Sequence, residues 1–238
     1  MHKFSWKVST TMIEYTFKMD DGTVFRFEVD VDRGSAVPVA PKEPAFWTVL
    51  GFKQCENCPL NPSQQMYCPA AVDVERIADK FKHLLSYEQV TVEVTTPDRT
   101  YLKQCDVQTG LRALLGLVMA TSSCPILSGL KGMAYFHLPF ATTQETLYRA
   151  VSAYLLQQYF MYRDNLKPDW DLAGLAKLYA ELQSVNRCFK GRLDAASVKD
   201  ANMQAVGSMI YLSMSVALSV EDKLRDLRPR FAKSTPPA

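Results

Sequence analysis

Four cysteines in this chain have the residue type and spacing of metal ligands. Cys55 and Cys58 are separated by two residues, Cys68 follows shortly afterwards, and Cys124 lies further along the chain. Two cysteines at this separation can bind one ion across a tight turn, and two later cysteines can complete a tetrahedral site. Because a buried thiolate is costly unless a cation lies beside it, we expect the four side chains to share a metal ion. Zinc is the first candidate, since a four-cysteine zinc site adds directly to folding stability.

The same four cysteines have other interpretations. Cys58, Cys68 and Cys124 are each followed by proline, and Cys-Pro also occurs in iron–sulfur ligation, although with tighter spacing than here. The thiols could instead be free and buried as small apolar side chains. A redox pair of Cys55 and Cys58 is disfavoured because Pro-Leu-Asn-Pro, a loop sequence, occupies the place where a helix would begin. Zinc, an iron–sulfur cluster and no metal all stay open.

Two further cysteines and one histidine complete the residues that could do chemistry. Cys105 and Cys188 are interpreted as packing thiols, and Cys105 is the better substitute ligand because it precedes the helix that leads to Cys124. His137 could be a ligand or the general base of a small-molecule enzyme with a pocket between sheet and helices. The sequence shows no Ser-His-Asp spacing, phosphate-binding glycine loop or paired-carboxylate motif. We therefore expect an interaction or regulatory protein without catalysis.

Composition and charge restrict the class of protein. Of 238 residues, 47% are apolar and 22% charged, and the net charge of +2 comes from 27 basic and 25 acidic residues without long blocks of one sign. This is typical of a folded protein and gives no support for nucleic-acid binding. No secretory signal is evident, and the longest apolar run, over residues 114–120, is too short to cross a bilayer. We expect a cytoplasmic protein without membrane contact, whose reduced cysteines can bind metal.

The elements that must position the cysteines begin with strands. Apolar and polar residues alternate over 12–31 around an Asp-Gly turn, which predicts a hairpin. The apolar stretch 46–52 predicts a third strand that leads into Cys55, and residues 90–105 predict a second hairpin. The sequence therefore predicts one antiparallel sheet of about five strands.

Two helices are predicted to cover this sheet. Three-to-four spacing of apolar residues predicts an amphipathic helix over 72–85. A second, apolar helix is predicted over 107–121, with Asp106 as its N-cap. The fold class is α+β, with an N-terminal antiparallel sheet and two helices followed by a C-terminal helical bundle.

The second half of the chain is predicted to be helical, with helices over 125–135, from Thr142, over 172–195 and over 197–229. We divide the chain into an α+β part (1–121), a helical bundle packed as one unit with it (122–230) and a disordered tail (231–238). Cys124 lies at the junction. A metal ion bound there would connect the two parts.

One helix of the bundle is rich in tyrosine and arginine, namely at Tyr148, Arg149, Tyr154, Tyr159, Tyr162 and Arg163. Such residues are enriched where proteins bind one another, so a protein partner is one interpretation. A core stripe with tyrosine hydroxyls reaching solvent is the favoured one.

Several motifs together resemble a bacterial family of uncharacterised proteins. They are the cysteine pattern Phe52-x2-Cys55-x2-Cys58-Pro-Leu, Cys68-Pro and Ser-Cys124-Pro, together with Leu85-Ser-Tyr-Glu and Phe136-His-Leu-Pro-Phe-Ala-Thr. The resemblance covers most of the chain. It implies that the four cysteines belong together, and it implies no activity.

Overall fold

A four-stranded antiparallel sheet forms the N-terminal part of the fold. The computed structural model describes residues 11–33 and 43–231. The strands are β1 (Met12–Met19), β2 (Val24–Asp30), β3 (Gln89–Thr95) and β4 (Thr100–Asp106), in the spatial order β2-β1-β3-β4. Both predicted hairpins are confirmed, and β1 and β3 pair to join them.

The alternation seen in the sequence decides which face of the sheet is buried. Tyr15 is paired with Val94, and Phe17 with Val92. All four side chains are fully buried. Because successive residues of a strand point to opposite faces, one face of the sheet becomes the core and the other stays polar.

The strand predicted over residues 46–52 is wrong, and the sheet has four strands instead of about five. Phe46–Thr48 is a short 3-10 helix, and Val49 makes only an isolated bridge to another segment. Three carbonyl groups of this segment accept hydrogen bonds from the guanidinium of Arg192, those of Trp47, Val49 and Leu50. Because these acceptors are occupied by a distant side chain, the apolar stretch does not pair as a strand.

Six α-helices lie in the described part of the chain: α1 (Pro69–Phe81), α2 (Val107–Thr121), α3 (Lys131–Tyr135), α4 (Thr143–Arg163), α5 (Ala173–Ala196) and α6 (Ala201–Leu227). Short 3-10 helices at Leu127–Leu130 and Arg228–Arg230 precede α3 and follow α6. The C-terminal part is therefore mostly helical, as predicted. The tail predicted over 231–238 lies outside the described residues, except for its first residue.

Two of the helix starts follow predicted capping signals. The carboxylate of Asp106 accepts a hydrogen bond of 3.0 Å from the backbone N–H of Thr109 and so caps α2. Thr142 and Glu145 form a capping box at the start of α4. These local signals fix where the two helices begin.

Helix α1 begins and ends earlier than the predicted range of 72–85. Cys68 is its N-cap and Pro69 its first residue, a position that suits proline because no helical N–H bond is lost there. Beyond Phe81 the chain leaves the helix, and the backbone N–H of Leu85 donates to the Glu88 carboxylate at 2.7 Å. The prediction therefore missed the cysteine at the helix start.

Both α1 and α2 pack against the buried face of the sheet. The ring of Phe81 in α1 lies 5.0 Å from that of Phe17 and 5.3 Å from that of Phe25, measured between centroids. Helix α6 packs against α5 and α2, and a buried hydrogen bond of 3.0 Å joins Asn186 to Ser213. The core therefore runs from the sheet through α2 into the helical part.

Within the described ranges, no single helix has the length and hydropathy needed to span a membrane. Two segments bent by 81°, Ala201–Leu218 and Val220–Arg230, meet the length and composition criteria only when taken together.

The close approach of α2 to the sheet depends on Gly110. A Cβ atom there would lie 2.7 Å from Cγ2 of Val92 and 2.9 Å from Cε1 of Phe17. We expect Gly110→Ala to lower the free energy of unfolding by roughly 1–3 kcal/mol, because overpacking forces core side chains out of their rotamers. Chemical denaturation measures the change.

Gly116 provides a matched control on the same helix. A Cβ atom there would meet only the Met209 side chain, at 3.6 Å, which is an ordinary contact. Gly116→Ala should raise the free energy of unfolding by roughly 0.5–1 kcal/mol, because alanine is the better helix former. Equal effects of the two substitutions would contradict the close contact at Gly110.

Candidate functional site

The four predicted ligands lie on three segments near the junction of sheet and helices. Cys55 and Cys58 form a tight turn, in which the backbone N–H of Cys58 donates to the carbonyl of Cys55 at 3.0 Å. Cys68 caps the start of α1, and Cys124 follows the end of α2. All four are half-buried free thiols.

The thiols lie within electrostatic range of one another. Burial raises the pKa of Cys55 far above its ordinary value, and the neighbouring Cys188, Cys68, Cys58 and Cys124 raise it further. Burial also raises the pKa of Cys68 and of Cys124, with a contribution from Cys58 in each case. Among residues 11–33 and 43–231, however, no three His, Cys, Asp or Glu side chains have an arrangement that could hold a metal ion. The thiols are neighbours, not a preformed coordination shell.

Specific groups oppose the effect of burial at two of these cysteines. Burial raises the pKa of Cys68 overall. The charge of Arg192 and the backbone N–H of Ala71 make this rise smaller. At Cys124, two backbone N–H groups that follow it in the chain act in the same direction. Donors of this kind stabilise a thiolate and orient metal-bound sulfur. Because burial outweighs these groups, the pKa of both thiols still lies above its ordinary value.

Arg192 places a buried cation within electrostatic range of the Cys68 thiol. Its side chain is only 1% exposed, and its guanidinium donates to the carbonyls of Trp47, Val49 and Leu50 at 2.6, 2.8 and 2.8 Å. None of the ion pairs formed by the described residues includes Arg192. A buried cation without a carboxylate partner is costly, and nearby thiolates would compensate for it.

Cys188 is the residue that sequence reasoning undervalued. It lies on α5, four residues before Arg192 and on the same helical face, and it raises the pKa of Cys55. Cys105 has no such relation to the other cysteines, since burial and then Asp106 raise its pKa. The further thiol in electrostatic range of Cys55 is therefore Cys188 and not Cys105.

Comparison with known proteins gives a family. A family model described as a domain of unknown function (DUF6901) matches residues 13–232. The chain belongs to the DUF6901 family. No curated protein and no solved structure matches it. The resemblance to an uncharacterised family is confirmed at this level, whereas the bacterial origin and the shared cysteine pattern stay predictions.

His137 belongs to a different part of the DUF6901 domain. Its Nε2 lies 2.5 Å from the hydroxyl of Tyr15, and the ring lines a cavity formed by helices and loops. Burial, and secondarily the charge of Arg149, lowers the pKa of His137 to about 3. Burial keeps the pKa of Tyr15 well above its ordinary value, so its hydroxyl can donate to the neutral imidazole. An imidazole with this pKa is a poor proton acceptor near neutral pH, which disfavours His137 as a general base.

The lowered pKa of His137 predicts acid sensitivity. Between the ordinary value of 6.5 and about 3, the unfolded chain binds a proton at His137 that the folded protein does not. The free energy of unfolding should therefore fall as the pH drops through this range, by roughly 1.4 kcal/mol per pH unit. Urea unfolding over this range measures the slope.

The control for this pH dependence is a pair of histidine substitutions. His137→Gln should flatten the acid dependence, because the titrating group is gone. His83→Gln, at an exposed histidine after α1, should leave it unchanged. If the free energy of unfolding of His137→Gln depends on pH as strongly as that of the wild type, another group causes the dependence.

The tyrosine-rich helix of the DUF6901 domain presents an exposed aromatic face. Tyr148, Tyr159 and Tyr162 on α4 are 50%, 45% and 60% exposed. The core-stripe interpretation is therefore wrong for these three tyrosines, whereas Tyr154 packs against the core and its hydroxyl donates a hydrogen bond of 2.8 Å to Asp169. A protein partner stays an expectation for this face, and nothing in the described part of the chain indicates what would cover it.

Proposed function

We propose that the DUF6901 domain binds one zinc ion through Cys55, Cys58, Cys68 and Cys124, and that it acts through binding and not through catalysis. The observation that carries the proposal is the buried charge of Arg192 within electrostatic range of Cys68, without a carboxylate partner among the described residues. Four thiolates and one divalent cation carry a net negative charge, which a guanidinium offsets.

The raised pKa values support an ion over free thiolates. Without a cation, burial and mutual repulsion keep Cys55, Cys68 and Cys124 protonated. A zinc ion displaces these protons, so its affinity should rise with pH. The backbone N–H groups beside Cys68 and Cys124 would then donate to the metal-bound sulfurs.

The proposed role of the ion is to connect separate segments. Its ligands would come from the Cys55–Cys58 turn, the start of α1 and the chain after α2. Since the ion would be bound between these segments only in the folded protein, its binding energy would add to the free energy of unfolding. The sheet with its covering helices would thereby be fixed to the helical part.

An iron–sulfur cluster is the second candidate, and Cys188 favours it. Clusters are held by cysteine thiolates, and Cys188, a fifth thiol in electrostatic range of Cys55, could replace one of the four proposed ligands. Such a protein would sense redox state or transfer electrons. Its brown colour distinguishes it from a zinc protein.

Cobalt substitution tests the coordination directly. Protein stripped of metal with a chelator under reducing conditions is titrated with Co²⁺ while the absorption spectrum is recorded. We expect saturation at a single equivalent, with a strong sulfur-to-cobalt charge-transfer band and the visible bands of tetrahedral cobalt, and reversal by Zn²⁺. A weak octahedral spectrum, or no binding, would overturn the four-cysteine site.

A further inference from the structure

A second candidate binding site lies among the helices, apart from the cysteines. A cavity of about 740 Å³ is lined by residues of α2, α3, α4, α5 and α6 and the loops between them. Most of its lining is apolar, as shown by Leu117, Leu130, Met133, Leu182, Met209 and Leu212. Its volume falls in the range of pockets that enclose small organic ligands.

The charged residues of this lining are all basic. Arg112 on α2 and Arg149 on α4 line the cavity, and no Asp or Glu is among its lining residues. Neither arginine takes part in the ion pairs formed by the described residues. Asp106 and Glu145 lie within electrostatic range of Arg112 and Arg149, but they cap α2 and α4 and are not part of the lining. The cavity therefore has positive charge without a counter-ion in its wall.

Arg149 is fixed by two hydrogen bonds and keeps further N–H donors that could bind a ligand. Both of its hydrogen bonds leave from Nη2, to the carbonyls of Met133 at 2.6 Å and Phe136 at 2.8 Å. Its Nη1 and Nε have no partner in the described part of the chain, and burial lowers the pKa of the guanidinium. The free N–H groups suit an anionic head group, which Nη1 or Nε can bind through single charge-assisted hydrogen bonds, since Nη2 is already occupied by the two carbonyls.

We propose that the cavity binds an amphipathic anion, with a carboxylate or similar head group on Arg149, Arg112 as the second cation, and an unbranched apolar chain between the helices. The neutral His137 adds a polar group at this lining. The inference is independent of the metal proposal, because no cysteine lines the cavity.

Calorimetric titration with dodecanoate tests this assignment, using the metal-loaded protein and concentrations below micelle formation. Dodecanol and dodecyltrimethylammonium are the matched neutral and cationic probes. We expect dodecanoate to bind at least roughly tenfold more tightly than either, since the charge-assisted bonds are available to the anion alone. Equal affinity for dodecanol would overturn the anion assignment, and no binding of any probe would overturn the cavity as a ligand site.

Substitutions locate the binding site. Arg149→Met and Arg112→Met should each weaken dodecanoate binding by roughly tenfold or more, whereas Arg163→Met, at an exposed arginine of the same helix α4, should not. Arg149→Met also removes two hydrogen bonds to backbone carbonyls, so it can weaken binding by disturbing the fold. Arg112→Met tests the anion assignment without removing those bonds. Gly116→Leu, which would project into the cavity, should abolish binding with the fold intact. Unchanged affinity in Gly116→Leu would place the ligand elsewhere.

Discussion

Cys58→Ser should lose the bound metal and unfold at a temperature roughly 10 °C or more below that of the wild type. With one of the four ligands gone, the remaining thiolates no longer close a tetrahedral site, so the binding energy that stabilises the folded state is lost. For a chain of 238 residues, each kcal/mol of lost stability lowers the unfolding temperature by roughly 2–4 °C. Metal content and thermal unfolding of the soluble protein measure the two effects.

Two other cysteines serve as controls for this substitution. Cys105→Ser removes a half-buried thiol that has no electrostatic relation to the other cysteines, and it should retain the metal. Cys188→Ser should also be tolerated far better than Cys58→Ser if the ion is zinc. A Cys58→Ser protein with unchanged metal content and thermal stability would contradict the proposed site, and loss of the metal in Cys188→Ser would favour a cluster that uses the fifth thiol.

Arg192→Leu should lower the free energy of unfolding by roughly 3–5 kcal/mol, because three buried carbonyls lose their donor. Among the described residues, Arg192 is the largest of the fully buried side chains, and its three hydrogen bonds help to fix the segment leading to Cys55. A typical domain is stable by about 5–15 kcal/mol, so this loss is severe. Arg192→Lys should recover little, since one ammonium cannot reach all three acceptors in the geometry of a guanidinium.

Arg187→Leu is the matched control, because Arg187 is exposed on the same helix α5. Its effect on urea unfolding should lie within about 0.5 kcal/mol of zero. A second measurement separates the two roles of Arg192. If the charge of Arg192 stabilises a thiolate at Cys68, Arg192→Leu should bind metal more weakly. The decrease in affinity should be larger than the loss of folding stability alone would cause. Equal stability of Arg192→Leu and wild type would contradict the structural role.

Local sequence signals were sufficient for much of the fold. The alternating residues of β1 and β3 report a sheet with one buried face, and Asp106 and Thr142 mark helix starts through bonds to residues three positions away. At both helix starts, the capping side chain that identifies the start in the sequence also makes the hydrogen bond that stabilises it. The helix starts at these two positions could therefore be predicted without knowledge of the rest of the chain.

The strand predicted over 46–52 failed because its structure is decided at long range. The carbonyls that would have entered a sheet are bound by Arg192, which lies far away in the sequence. No pattern within the segment indicates this long-range contact, since its apolar residues would suit a buried strand as well as the structure observed. The proximity of Cys188 to Cys55 escaped prediction for the same reason.

The candidate sites differ in how far the sequence could reach them. The Cys-x2-Cys pair and the Cys-Pro repeats selected four residues whose thiols interact electrostatically in the folded chain. The cavity between the helices has no such motif, because Arg112 and Arg149 lie on different helices and become related only when α2 and α4 pack in the same structure. Cysteine spacing can therefore select candidate ligands from the sequence, whereas arginines on separate helices cannot be related to each other in this way.

Metal content is the measurement to make first. The protein is purified without oxygen and without a metal-binding tag, and its metals are determined by mass spectrometry together with a visible absorption spectrum. We predict about one zinc per chain and no colour. Iron with sulfide and a brown chromophore would replace zinc by a cluster, and protein that folds without any bound metal would contradict a metal site at Cys55, Cys58, Cys68 and Cys124.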